Sequence, residues 1–318
     1  MIRRSRFRPA WWLPGPHLQT LWPVVARHRP RLPLVEERVE LADGDFLDIA
    51  WGARDGRENV LVLHGLEGSI DSHYAGTLLQ ALDRHGFNPV FMHFRGCSGE
   101  PNRLPRSYHS GETGDLETIV RLFERRSGRP LGAVIGFSLG GNVLLKWLGE
   151  QSDPGRVKTA IAVSVPFRLG DCAERLERGL SRHYQNYLLR SLRRSYRRRF
   201  SRIPSPLRVD VERLRSFRSF DDAVTAPLHG FSGVDDYYRR SSSRQYLPQI
   251  RTPTLILHAA DDPFMWPRTL PREEELSAAV TLELSPHGGH VGFVAGRWPW
   301  RPNYWLEGRI IEHLRQTI

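Results

Sequence analysis

The chain has 318 residues, 40% of them hydrophobic, which is enough to bury a substantial core in one large α/β domain or two small ones and excludes pervasive disorder. The formal net charge is +11, but 44 of the 46 basic residues are arginine, a bias that codon composition explains as readily as a partner, so the charge does not by itself argue for specific nucleic-acid binding. Two cysteines, Cys97 and Cys172, exclude a disulfide framework, and no metal-ligand spacing surrounds them, which points to a reducing compartment and to chemistry without a cofactor.

The basic start of the chain, residues 1–6, resembles the first part of a signal peptide, but Pro9, Pro14, Pro16 and Gln19 interrupt the next segment before any apolar stretch develops. No segment approaches the roughly 20 apolar residues of a spanning helix. The expectation is a cytoplasmic protein, with peripheral membrane contact left open. Residues 1–35 show little periodicity and read as an ordered arm packed on the core. From Val35 to Trp51 the sequence alternates as a hairpin does, with Asp43-Gly44 as its turn.

Val60-Leu61-Val62-Leu63 is then a continuous apolar run ending in His64-Gly65, the signature of a strand buried on both faces of a parallel sheet. Similar runs start at Pro89, Leu131, Thr159 and Pro253, with helical patterns over residues 74–85 and 115–126 between them. Strands alternating with helices predict an α/β protein with a mostly parallel, doubly wound sheet. The glycine-bearing loop Arg95-Gly96-Cys97-Ser98-Gly99 lacks the Gly-Lys-Ser/Thr of a phosphate-binding loop and does not argue for nucleotide binding.

The run at Leu131 passes into Gly136-Phe137-Ser138-Leu139-Gly140 and then into a helical pattern. A sharp strand-to-helix turn leaves no room for side chains beside the turning residue, so the flanking glycines let the Ser138 hydroxyl project as a nucleophile. The helix aims backbone N–H groups at the same point; the Leu139 amide is one candidate oxyanion donor and the Leu66 amide, after the strand ending at His64, is the second. His64 itself reads as a residue that stabilises its loop.

The interval from 168 to 250 interrupts the rhythm and reads as several helices, an insertion that would sit as a cap over the strand ends. Between Arg182 and Arg202 it holds eight arginines and no acidic residue, with Leu188, Leu192, Tyr196 and Phe200 at helical spacing. That surface reads either as a solvated basic helix or as a docking face for lipid or substrate.

A serine nucleophile needs a histidine base and a carboxylate to orient it, and here both come after Ser138 in chain order. Asp261-Asp262-Pro263-Phe264 lies beyond the strand at Leu255, and Asp262 is preferred to Asp261 because Pro263 and the apolar pair Phe264-Met265 come directly after it. His287-Gly288-Gly289-His290 lies beyond the next strand, and His290 is preferred because two glycines let the loop bend back over the serine; His287 reads as a supporting residue. As metal ligands the two histidines lack a third partner.

These segments, together with Gly15-Pro16-His17-Leu18-Gln19-Thr20 in the arm and His290-Val291-Gly292-Phe293, resemble the YheT-type α/β-hydrolases over nearly the whole chain. That group includes bacterial proteins provisionally classed as esterases and eukaryotic α/β-hydrolase-domain lipases. The resemblance implies an α/β-hydrolase core formed by residues 36–167 and 251–318, with the helical cap at 168–250. It places Ser138, Asp262 and His290 at the charge-relay positions. It implies hydrolysis of small-molecule carboxylic esters, short- to medium-chain or acylglycerol-like. Two alternatives stay open on the residues alone: an acyltransferase using the same three groups, and a non-catalytic scaffold binding anionic membrane or nucleic acid through the basic cap.

Overall fold

The continuous apolar runs become the middle of a nine-stranded sheet. The computed structural model describes residues 1–52 and 57–318. Its strands are β1 (Ile2–Arg4), β2 (Val35–Glu40), β3 (Phe46–Trp51), β4 (Asn59–Leu63), β5 (Asn88–Met92), β6 (Leu131–Phe137), β7 (Val157–Val163), β8 (Thr254–Ala259) and β9 (Val280–Ser285). They lie in the order β1-β9-β8-β7-β6-β4-β5-β3-β2. Only the β2/β3 and β3/β5 pairs are antiparallel. All seven residues of β6, at the centre, are buried, as a strand covered on both faces must be.

Helices cover both faces. On one, α3 (Gly114–Ser127) and α4 (Leu139–Glu150) bury Leu116, Phe123, Val143 and Trp147 against the sheet; on the other, α2 (Ala75–Arg84) and the C-terminal helix (Trp305–Thr317) bury Leu78, Leu82, Ile310 and Leu314. This is the doubly wound arrangement that the alternating pattern predicts. Among the described residues no helix is long and apolar enough to cross a membrane.

Between β7 and β8 the chain forms α5 (Leu169–Leu176), the 20-residue α6 (Ser181–Phe200), α7 (Phe217–Phe220), α8 (Ala226–Leu228) and α9 (Val234–Ser241). These helices share an apolar cluster of their own around Leu189, Phe217, Phe220, Val234 and Tyr237. A short hairpin, β10 (Val294–Trp298) with β11 (Arg301–Tyr304), precedes the C-terminal helix α10 (Trp305–Thr317).

The arm holds more regular structure than its sequence suggests. β1 pairs in parallel with β9 at the sheet edge, and α1 (Pro16–Ala26) comes next. In the β2/β3 hairpin, Asp43 and Gly44 lie inside a five-residue connection, since Glu40 pairs with Phe46. That extra length turns the Asp45 carboxylate inward, where it accepts hydrogen bonds from Asn102 and Arg95.

Desolvation holds several histidines neutral: the buried His64 and His258 are pushed down to about 3 and about 4, and the half-buried His73 and His313 to about 3 and about 4. In the unfolded chain they take up protons near pH 6.5. Their contribution is therefore fully present above that pH and is lost as the pH falls toward 4. The urea unfolding midpoint is expected to be level from pH 8 to 7 and to decline steadily below about 6.5; a midpoint that rises between pH 6.5 and 4.5 contradicts this.

Candidate active site

Ser138 stands at the junction of β6 and α4 with φ 49° and ψ −115°. A non-glycine residue held there stores roughly 1–3 kcal/mol of strain, and such strain persists only where the surroundings enforce it. The enforcement is close packing: a Cβ on Gly140 would lie 2.5 Å from the His64 carbonyl oxygen, so only glycine lets α4 start this near the end of β4.

The loop after β9 brings His290 to the serine. Its Nε2 lies 3.0 Å from Ser138 Oγ, and its Nδ1 lies 2.8 Å from Asp262 Oδ2. With Nδ1–H donating to the carboxylate, Nε2 is free to accept the serine proton. The other Asp262 oxygen accepts the Phe264 N–H at 2.8 Å, and the Phe264 ring stacks on the imidazole with centroids 3.9 Å apart. Asp262 and His290 are both buried. Asp261 and His287 form a separate pair at 3.3 Å, with the His287 side chain exposed. Asp261 accepts the Gly289 N–H at 3.0 Å, which makes this pair a support of the histidine loop, and burial raises its carboxyl above the usual range.

Three consecutive amides of that loop are held by side-chain oxygens: Gly289 by Asp261, His290 by Thr20 Oγ1 at 2.9 Å, and Val291 by Ser164 Oγ at 3.0 Å. Thr20 belongs to α1, as does Gln19, whose side-chain amide donates to the Val294 carbonyl and accepts from the Val294 N–H. A Cβ on Gly289, whose φ is +62°, would come within 2.5 Å of the Pro16 carbonyl oxygen. The arm is thus a brace for His290, a role that sequence reasoning missed. Thr20→Val keeps the shape but leaves the His290 N–H without its acceptor. It is expected to cost about 1–3 kcal/mol of stability and to lower kcat several-fold, read from urea unfolding and initial rates on one ester; unchanged values in both would exclude the brace.

On the opposite side of Ser138, the turn after β4 presents three amides. The Gly65 N–H donates to Tyr74 Oη and the Glu67 N–H to Tyr108 Oη, whereas the Leu66 N–H between them has no partner among the described residues. Leu139 opens α4, where amides lack intrahelical acceptors. His64 fixes this turn: the Phe94 N–H donates to Nε2 at 3.0 Å and Nδ1 lies 2.6 Å from the Gly65 carbonyl oxygen, which requires the neutral Nδ1–H tautomer. Burial keeps that ring neutral, in line with the supporting role read for it.

Ser138, His290, Leu66 and Leu139 open into a cavity whose far wall is formed by α5, α6 and α7, with Leu169, Leu176, Leu192 and Phe217 among its lining. Helices from residues 168–250 thus share this cavity with Ser138 and His290. Six of the eight arginines in the basic run are exposed, but Arg199 is buried and lines this cavity. Cys97 and Cys172 are free, and burial pushes both thiols well above their ordinary range, so neither competes as a nucleophile.

The elbow, the sheet order and the cavity under the inserted helices define a member of the α/β hydrolase fold family, whose pattern the chain matches over residues 58–296; the chain belongs to that family. Within it, the chain is 42% identical to YheT of Escherichia coli strain K12, provisionally named an esterase, across 98% of this chain and 93% of that protein. It is 30% identical to mouse phospholipase ABHD3 across 94% of this chain and 75% of that one. It is 32% identical to the monoacylglycerol lipase of Saccharomyces cerevisiae over 76% of this chain and 56% of that one. Among solved structures, the Pyrococcus furiosus esterase Pf2001 shares the fold, with a TM-score of 0.58 and 18% identity over 92% of this chain and 98% of that one.

Proposed function

We propose that this protein hydrolyses carboxylic esters through an acyl-enzyme on Ser138. The reading rests on the unbroken hydrogen-bonded series Ser138–His290–Asp262 at the floor of an apolar cavity, with the free Leu66 amide and the helix-opening Leu139 amide beside the hydroxyl. The relatives named as an esterase, a phospholipase and a monoacylglycerol lipase support the same reaction class.

In this reading Ser138 Oγ attacks the ester carbonyl while His290 Nε2 takes its proton. Asp262 holds the imidazole in the required tautomer and stabilises the imidazolium that forms. The Leu66 and Leu139 amides receive the charge that develops on the carbonyl oxygen, and the alcohol leaves with the proton from His290. Water, deprotonated by His290, then releases the acid. Residues 36–167 and 251–318 supply this machinery, residues 1–35 brace its histidine loop, and residues 168–250 form the wall that receives the acyl chain.

The lining of Leu169, Leu176, Leu192 and Phe217 fits acyl chains of short to medium length. A series of p-nitrophenyl esters from acetate to palmitate tests this. Turnover rising to an optimum within the series supports an ester pocket of finite depth; absence of turnover across it overturns the reading.

A further inference from the structure

Arg199 takes no part in the chemistry at Ser138, and no residue among those described pairs with it. Four arginines of the described structure are buried, and the fold neutralises three of them: Arg95 with Asp43, Asp45 and Asp115, Arg27 with Glu307, and Arg309 with Glu283. Arg199 is only 6% exposed, yet its guanidinium makes no hydrogen bond or ion pair among the described residues, and its Nε is enclosed without a partner. It projects from the last turn of α6 into the cavity that holds Ser138, with an Nη against Gly96. Keeping a buried cation without a partner is strongly unfavourable, and folds retain such groups where a ligand completes them.

Two acidic side chains line the same cavity, and neither occupies the fork. Glu67 accepts the Tyr108 O–H at 3.0 Å on one oxygen and the Ser195 O–H at 2.5 Å on the other. Asp221 is likewise committed, to Thr225 at 2.7 Å and Tyr238 at 2.8 Å. Glu67 therefore moderates the local charge while leaving every guanidinium donor free, and desolvation holds the Arg199 guanidinium below its ordinary range.

The geometry points to Arg199 as an anion-recognising residue inside the ester cavity, so that the preferred substrates are esters carrying a second, negatively charged group, a carboxylate or a phosphate. A planar guanidinium with all its donors free matches the paired oxygens of either group. The inference rests on the proposed ester hydrolysis at Ser138 for its catalytic consequence, but the anion site itself does not require that chemistry.

The test pairs esters of matched size. On the acyl side, the p-nitrophenyl monoester of adipic acid is compared with p-nitrophenyl hexanoate; on the alcohol side, hexanoylglycerol phosphate is compared with hexanoylglycerol. In at least one arm the kcat/KM ratio of charged to neutral ester is expected to be about 10- to 100-fold in the wild type, to collapse toward unity in Arg199→Gln, and to recover partly in Arg199→Lys, which restores charge without the fork. The arm that responds tells carboxylate from phosphate. Adipate and inorganic phosphate are also titrated calorimetrically into Ser138→Ala with and without Arg199→Gln, and loss of at least about tenfold in affinity for one of them is expected. Removing an unpaired buried charge is further expected to leave the urea midpoint unchanged or higher. Esters cleaved with a ratio independent of Arg199, or a lowered midpoint with unaltered selectivity, would overturn the anion site while sparing the esterase reading. Arg199-dependent binding in a protein that cleaves no ester would do the reverse, and failure of both measurements overturns both.

Discussion

Replacing Ser138 by alanine is expected to lower kcat on p-nitrophenyl esters by at least about 10⁴-fold, because the two remaining members of the series have no oxygen left to activate. The residue lies at φ 49°, where alanine and serine meet the same backbone strain, and among the described residues its hydroxyl is bonded only to His290 Nε2. Stability is therefore expected to change by less than about 1 kcal/mol, measured by urea unfolding. The pairing of a collapsed rate with an unchanged midpoint separates loss of chemistry from loss of fold.

Asp262→Asn is expected to lower kcat by about 10⁴-fold, with Asp261→Asn within about threefold of the wild type. An asparagine at 262 presents an N–H where the imidazole needs an acceptor, which drives His290 toward the tautomer whose Nε2 carries the proton and cannot take another. Asp261 acts at one remove from the reaction: it accepts the Gly289 N–H, and asparagine retains that acceptor. Initial rates of the two variants at pH 8 decide the assignment between these neighbours. Equal losses, or the larger loss at 261, would contradict it.

Of the two adjacent carboxylates, the residue pattern favoured Asp262 for the Pro263 and Phe264-Met265 that come directly after it, and Asp262 is the one that meets His290. The Phe264 N–H bond that fixes its turn is a contact no local pattern announces. The parallel strands were legible because burial on both faces forces unbroken apolar runs, as at Val60–Leu63 and Leu131–Phe137. The elbow was legible because steric crowding admits glycine alone at Gly140.

The arm defeated the same logic for an identifiable reason. β1 has three residues, and its partner, β9, lies some 280 positions away, so nothing local specifies it. Helix α1 inverts the usual pattern: Leu18, Leu21, Val24 and Val25 are exposed, while Thr20 is buried where it bonds the histidine loop and Gln19 where it bonds Val294 at the start of β10. A search for an apolar stripe cannot find a helix whose task is to carry polar braces inward. The signal that was available is the polar pair itself, placed beside two prolines and a glycine in an otherwise apolar segment. In α6, the run of arginines similarly concealed its one buried member, since charge density says nothing of which side chain the helix turns toward the cavity.

If the acyl group passes through Ser138, it can be caught there. The protein is quenched with acid during turnover of p-nitrophenyl hexanoate, and the modified residue is located by peptide mass spectrometry. A hexanoyl adduct on the peptide containing Ser138, absent from Ser138→Ala, is the expected result. Full ester turnover by Ser138→Ala, or an adduct confined to another residue, would contradict the acyl-enzyme at Ser138.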